Sequence, residues 1–167
     1  MSNNQKEQDF ALATYFPYMV RLFYRDVSQS VENVYSSVFG LSVSEWRTMS
    51  VLHDFEPLSA KEIVSRSSMD KVVVSRAISS LQDGCLLERH IDPADRRRVL
   101  LRLTRKGKDV MADLVPRVLE VERQLLAGLS EDEFALLKKL MLKVRGNSEA
   151  IEPPVETVSA ARKVEAQ

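Results

Sequence analysis

The chain has 167 residues, with 24 Lys or Arg set against 24 Asp or Glu and a formal net charge of +0. That length supports one domain, or one domain with an oligomerisation extension, and excludes a two-domain enzyme. Its 29% charged and 44% hydrophobic residues, with only 5 Gly and 6 Pro, fit a soluble helical protein rather than a loop-rich one.

No apolar run reaches the roughly 18 residues a membrane span needs, and the first nine residues are polar. Neither a span nor a signal peptide is expected, and the cytoplasm is the expected location. Cys85 is the single cysteine, which rules out an internal disulfide framework.

Residues 1–9 are expected to be disordered. From Pro17, the residues Val20, Phe23, Val27, Val31, Val34 and Val38 recur at three- and four-residue steps, the period of one buried helical face, and Gly40 stops that helix. Ser42 and Glu45 form a capping box, in which hydroxyl and carboxylate satisfy each other's free backbone amides. It opens a second helix that runs to about Phe55. Pro57 ends it, and Ser59 with Glu62 repeats the signature before a short third helix stopping near Ser67.

A fourth helix begins around residues 68–70. It places Val74, Ala77, Ile78 and Leu81 on one face and Lys71, Ser75, Arg76 and Ser79 on the other, with Asp83-Gly84 as its end signal. Two short strands follow, Leu86 to Ile91 and Val99 to Leu103, joined by Asp92-Pro93-Ala94-Asp95 and Arg96-Arg97-Arg98. Thr104 then caps a long helix from Lys106 to about Ala127, which Pro116 should kink. A third capping box, Ser130 with Glu133, opens the last helix, with Phe134, Leu137, Leu140, Met141 and Val144 as its apolar face. From Gly146 the periodic signal fades, and residues 146–167 are read as a disordered tail.

Eight Lys or Arg against two Asp fall between Arg89 and Lys108 in this otherwise neutral chain. A compact pair of helices followed by a cationic hairpin is the pattern of a winged helix-turn-helix, and double-stranded DNA is the partner it implies. Lys71, Ser75, Arg76 and Ser79 are candidates to enter the major groove, where short polar and cationic side chains read base edges and hold phosphates. Arg96, Arg97 and Arg98 are candidates for the wing tip, where a guanidinium can enter the narrow minor groove. Neighbouring side chains on a strand point to opposite sides, so the three cannot share one task. A charged edge hairpin kept soluble by its arginines is the bland alternative.

The fold class expected is mainly α with a small β-hairpin wing. Residues 41–104 form the winged helix-turn-helix lobe, and the helices in 10–40 and 105–145 form a homodimerisation region, unless they pack back onto their own lobe.

Six of the 11 aromatic residues lie within the first 24 positions, interleaved with Arg21 and Arg25. Rings beside a guanidinium can hold a planar ring and its carboxylate or phosphate. Tyr15, Tyr18, Arg21, Phe23, Tyr24, Arg25, Trp46, Arg47 and Arg66 are therefore the candidate effector site. A dimer core is the competing use of the same rings. Cys85 is read as a small buried hydrophobe, with a redox role as the other reading. His53 and His90 are the only histidines and have no ligand spacing, so no metal and no cofactor is expected. No nucleophile with a positioned base and no phosphate loop is present, so an enzyme is not expected. A protein-interaction module without sequence preference on DNA is the remaining alternative.

The run Asp92-Pro93-Ala94-Asp95-Arg96-Arg97-Arg98-Val99-Leu100-Leu101-Arg102-Leu103-Thr104, followed by Gly107, resembles the wing signature of the MarR family of transcription regulators. The likeness extends from about Tyr15 to Val144. It implies a homodimer bound to a palindromic operator and released by a small, often aromatic, anionic ligand. By the same resemblance the family's Asp-x-Arg element falls on Asp95-Arg96-Arg97, making Arg97 the minor-groove arginine. Asp70, at the start of the recognition helix, would be its partner in a switch pair. The stretches Tyr15 to Tyr18, Leu58 to Glu62 and Ser68 to Val72 are similar to regulators of aromatic-acid breakdown, which implies a hydroxycinnamic acid or its coenzyme A thioester as effector. In the redox-sensing branches the reactive cysteine lies in the first helix, a position Cys85 does not match.

Overall fold

The computed structural model describes residues 10–151, so the expectations for residues 1–9 and 152–167 lie outside the described residues. Helices α1 (Phe16–Phe39), α2 (Val43–Phe55), α3 (Ala60–Ser67) and α4 (Lys71–Asp83) come first. The hairpin β1 (Leu87–Ile91) and β2 (Val99–Leu103) and the helices α5 (Arg105–Leu125) and α6 (Glu131–Glu149) follow. A short 3-10 turn, Leu12–Thr14, precedes α1. Two compact units meet in the chain at Leu125 and Leu126.

Local chemistry sets the helix ends. Gly40 stops α1 in the left-handed conformation, at φ +65°, which a residue without Cβ adopts without strain. All three expected capping boxes form, at Ser42/Glu45, Ser59/Glu62 and Ser130/Glu133. The Asp70 carboxylate accepts from the amides of Val72 and Val73 at 2.8 and 2.9 Å and so caps α4. Thr104 caps α5, its hydroxyl accepting from the Gly107 amide at 3.0 Å. α5 continues through Pro116.

The hairpin pairs in register from Leu87 opposite Leu103 to Ile91 opposite Val99. Leu58, in the α2–α3 connection, adds an antiparallel bridge to Leu101, with N–H to O=C distances of 2.8 and 3.2 Å in the two directions. Glu56 fastens the same corner: its carboxylate accepts from the Leu103 amide at 2.6 Å and pairs with Lys108 at 2.8 Å. Gly107 lets α5 start against the hairpin, since a Cβ there would lie 2.2 Å from the Leu86 carbonyl oxygen.

One core joins these elements, with Met49, Leu52, Ile63, Val74, Leu81, Leu101, Met111 and Leu114 all buried. Tyr35 of α1 belongs to it, and its ring stacks on Trp46 at 5.7 Å between centroids. The C-terminal half of α1 and the first half of α5 are thus built into the winged-helix core rather than standing apart from it.

Three expectations need correction. Of the apolar residues expected to bury one face of α1, Val20, Phe23 and Val38 are 46%, 54% and 54% exposed. Among the described residues the stretch facing α2 and α5 is the part packed into the core. α6 runs on to Glu149, so the tail does not begin at Gly146. Asn147, Ser148 and Glu149 add no apolar period, yet nothing among them breaks a helix. Cys85 is exposed and takes φ +58° straight after Gly84, which stays at φ −74°. The chain reverses at the cysteine, so its side chain is turned away from the core.

Among the described residues no helix is long and apolar enough to cross a membrane. No group of three or more His, Cys, Asp or Glu among them is placed to hold a metal ion.

Candidate functional site

The two faces of α4 separate as their spacing requires. Val74, Ala77, Ile78 and Leu81 are buried, while Lys71, Ser75, Arg76 and Ser79 are all exposed. The Ser79 hydroxyl donates to the Ser75 carbonyl at 3.2 Å, a bond that leaves its lone pairs for an outside donor. Ser80, one step round the helix, instead donates to Glu45 and ties α4 to the N-terminus of α2. Burial works against the Glu45 carboxylate, but the bonds from Ser80 and Ser42 outweigh it and hold its pKa below the usual value.

Between α3, α4 and the hairpin runs an open cleft of about 480 Å³, floored by apolar side chains such as Val64, Val74 and Leu101. Lys61, Lys71 and Arg89 also line it. The recognition face and the wing therefore stand side by side across this cleft.

The hairpin tip is a tight structure held by its own aspartates. The Asp92 side chain accepts from the Ala94 amide at 2.9 Å, and the Asp95 side chain accepts from the Arg97 amide at 3.0 Å. The Asp92 amide in turn donates to the Arg98 carbonyl at 2.9 Å. This geometry gives the three arginines different surroundings. Among the described residues the side chains of Arg96 and Arg97 make no hydrogen bond or ion pair. Arg98 is engaged: one of its terminal nitrogens lies 2.9 Å from both oxygens of Glu62, and the other lies 3.6 Å from Asp92.

In this structure Asp70 and Arg97 are not paired with each other. The Asp70 carboxylate is committed to the amides that begin α4, and among the described residues Arg97 meets no carboxylate through its side chain. The ion pair linking the wing to the helices is Arg98 with Glu62 instead. Glu62 was legible as a capping residue of α3. Its second role was hidden because Arg98 is 36 residues away in the chain.

A second open cavity, about 490 Å³, lies along α1 and the start of α2 and brings together Arg21, Tyr24, Arg25, Trp46 and Arg47. The Arg47 guanidinium donates to the Tyr24 hydroxyl and sits 6.0 Å over its ring. Arg25 pairs with Asp26 at 2.8 Å. Tyr35 also lines the cavity, and its pKa is raised, by burial first and then by the nearby Glu32 charge.

Four of the expected effector residues are not in this cavity. Tyr15, Tyr18 and Phe23 do not line it, and Tyr15 packs on Phe10 instead, 5.3 Å between ring centroids. Arg66 stacks on Phe55 at 4.4 Å, on the far end of α2. Phe23 points to another face of α1 than Arg21, Tyr24 and Arg25, Tyr15 precedes the helix as its N-cap, and Tyr18 lies on the shared face but a turn before the cavity begins.

Comparison with known proteins bears on the same segment. Residues 39–98 match the model of the MarR family. An uncharacterized HTH-type transcriptional regulator of Bacillus subtilis (strain 168), YwaE, is 31% identical over 114 residues, which are 66% of this chain and 65% of that protein. A MarR/EmrR family transcriptional regulator from Acinetobacter sp. ADP1 shares the fold with a TM-score of 0.77 and 24% identity, over 85% of this chain and 100% of that one. PcaV, a transcriptional regulator from Streptomyces coelicolor solved in complex with its natural ligand, has a TM-score of 0.68 and 25% identity, over 83% of this chain and 97% of that one. Residues 39–98 thus resemble the MarR family, and the chain shares the winged-helix fold of these structures.

Proposed function

We propose that the chain is a ligand-responsive transcriptional regulator that binds an inverted-repeat operator as a homodimer, and acts as a repressor released by a small aromatic acid or its coenzyme A thioester. The observation that carries the DNA reading is charge left unpaired. Among the described residues Lys71, Arg76, Arg96 and Arg97 stand exposed on α4 and the wing with no acidic side chain bonded to them. Cations held free in this way are available to phosphates and base edges. Lys71, Arg76, Ser75 and Ser79 take the major groove, Arg97 takes the minor groove beside it, and Arg96 meets a flanking phosphate. In a dimer the two recognition helices would lie about one DNA turn, roughly 34 Å, apart.

The homodimer reading is supported by apolar side chains exposed on α1 (Phe16, Val20, Phe23) and, within its own unit, on α6 (Leu136, Leu140, Met141). Contiguous exposed residues of this kind mark association surfaces. The effector reading is supported by the cavity at Arg21, Tyr24, Arg25, Trp46 and Arg47, whose volume suits a small ligand. Its rings can stack on an aromatic acid while its guanidinium groups meet carboxylate or phosphate.

The test is fluorescence anisotropy of the protein with a labelled fragment of its own upstream DNA, against scrambled competitor, with and without p-coumaroyl-CoA. Competitor-resistant binding released by the thioester supports the whole reading. Specific binding that ignores it keeps the regulator and removes this effector. Binding without sequence preference overturns the regulator.

A further inference from the structure

The three wing arginines are adjacent in the chain, yet among the described residues only Arg98 is bonded to another element. Its guanidinium reaches both carboxylate oxygens of Glu62 at 2.9 Å, and Glu62 is the capping residue of α3. The same carboxylate accepts from the Ser59 amide at 2.7 Å and the Ser59 hydroxyl at 2.6 Å. Asp92, at the other strand of the tip, approaches Arg98 at 3.6 Å.

We propose that Arg98 is a positioning residue rather than a DNA contact: by clasping Glu62 it fixes the hairpin tip against the N-terminus of α3 and so sets where Arg96 and Arg97 project. This rests on the DNA-binding reading above. The two jobs compete for one guanidinium, because a side chain spent on Glu62 must break that pair before it can reach a phosphate. Glu62 is kept ionised for the purpose. The Ser59 hydroxyl, then its amide, then Arg98 hold the Glu62 pKa down to about 2, so the carboxylate is charged at neutral pH.

A discriminating experiment uses the sign of a charge change. Glu62→Gln removes a negative charge near the DNA and leaves a side chain that can still complete the capping box. Plain electrostatics then calls for tighter binding, whereas loss of the clasp calls for weaker binding. Operator affinity is measured by anisotropy for wild type, Glu62→Gln, Arg98→Gln and the double variant, each first confirmed as folded by its thermal melt. The expected result is about 2- to 5-fold weaker binding for each single variant, the scale of a half-exposed ion pair, with the double variant no weaker than the weaker single. Unchanged or tighter binding by Glu62→Gln, or additive losses in the double, overturns the clasp.

Hydrogen exchange of the free protein supplies a readout that needs no DNA. Amides of residues 92–98 should exchange faster in both single variants than in wild type. Unaltered protection there overturns the proposal even if the regulator reading stands, while failure of wild type to bind DNA specifically removes the regulator reading and leaves the exchange result to judge the clasp by itself.

Discussion

The arginines of α5 and those of the α4–wing face are treated in opposite ways by the same chain. On α5, Arg105 pairs with Asp109, Arg117 with Asp113 and Arg123 with Glu120, each one helical turn apart and each exposed. Such pairs are solubility devices worth a few tenths of a kcal/mol, roughly. On α4 and the wing, Arg76, Arg96 and Arg97 have no such partner among the described residues, although the chain as a whole has as many acids as bases. A net charge of +0 therefore conceals a segregation of paired from unpaired charge, and it is the unpaired set that can neutralise phosphate.

The largest expected effect breaks that comparison at its sharpest point. Arg97→Ala should weaken operator binding by about 10- to 100-fold, the range of a specific arginine contact. Arg117→Ala, on the paired surface, should leave it within about 2-fold. Equal losses from the two variants would show that total charge, rather than placement, governs binding.

A smaller effect refines it. Lys71→Ala should lower the slope of log affinity against log salt by about 1, as loss of one phosphate contact does. Arg105→Ala should leave the slope unchanged. A slope untouched by Lys71→Ala would take that lysine out of the interface.

Much of this architecture was legible because its determinants are local. Ser42/Glu45, Ser59/Glu62 and Ser130/Glu133 each act across three residues, and the alternation of Val74, Ala77, Ile78 and Leu81 with Lys71, Ser75 and Arg76 is a period any helix obeys. What escaped was long-range. The bridge between Leu58 and Leu101 depends on where β2 arrives. Arg98 and Arg97 are identical in type, and only the finished tip decides which of them faces Glu62. The apolar period of α1 announced a buried face, but Val20, Phe23 and Val38 on it are about half exposed among the described residues. The effector residues were read from aromatic density near the start of the chain, whereas the cavity forms where α1 from Arg21 onward meets the start of α2, so Tyr24 and Arg47 line it while Tyr15, before α1, and Arg66, on α3, do not.

Stability offers a third test of the contrast between local devices and surface charge. Ser59→Ala removes the hydroxyl that accepts from the Glu62 amide at the start of α3. A lost cap of this kind costs about 1 kcal/mol, whereas Asp113→Ala, which breaks a surface pair on α5, should cost roughly half that or less. Denaturant unfolding measures both. A larger loss from Asp113→Ala would mean that the exposed pairs of α5 carry stability after all.

The smallest effect concerns pH and follows from Glu62. Its carboxylate is held at about 2 in the folded chain, chiefly by the Ser59 hydroxyl, and a free glutamate titrates near 4.3. A group whose folded pKa is depressed stabilises the fold above its unfolded pKa, and that contribution is lost as the pH falls through the folded value. Wild type should therefore melt above Glu62→Gln at pH 6, and the gap should close as the pH drops from about 4.3 toward 2. The side chain of Glu62 is 39% exposed, so water and salt screen the interaction and the gap should narrow further with added salt. Other carboxylates also titrate in this range and lower both melting temperatures, which is why the difference between the two proteins, rather than either curve, carries the information. A gap that stayed constant from pH 6 to pH 2 would mean that the Gln substitution acts through packing or the cap, and that the Glu62 charge contributes nothing to holding the wing.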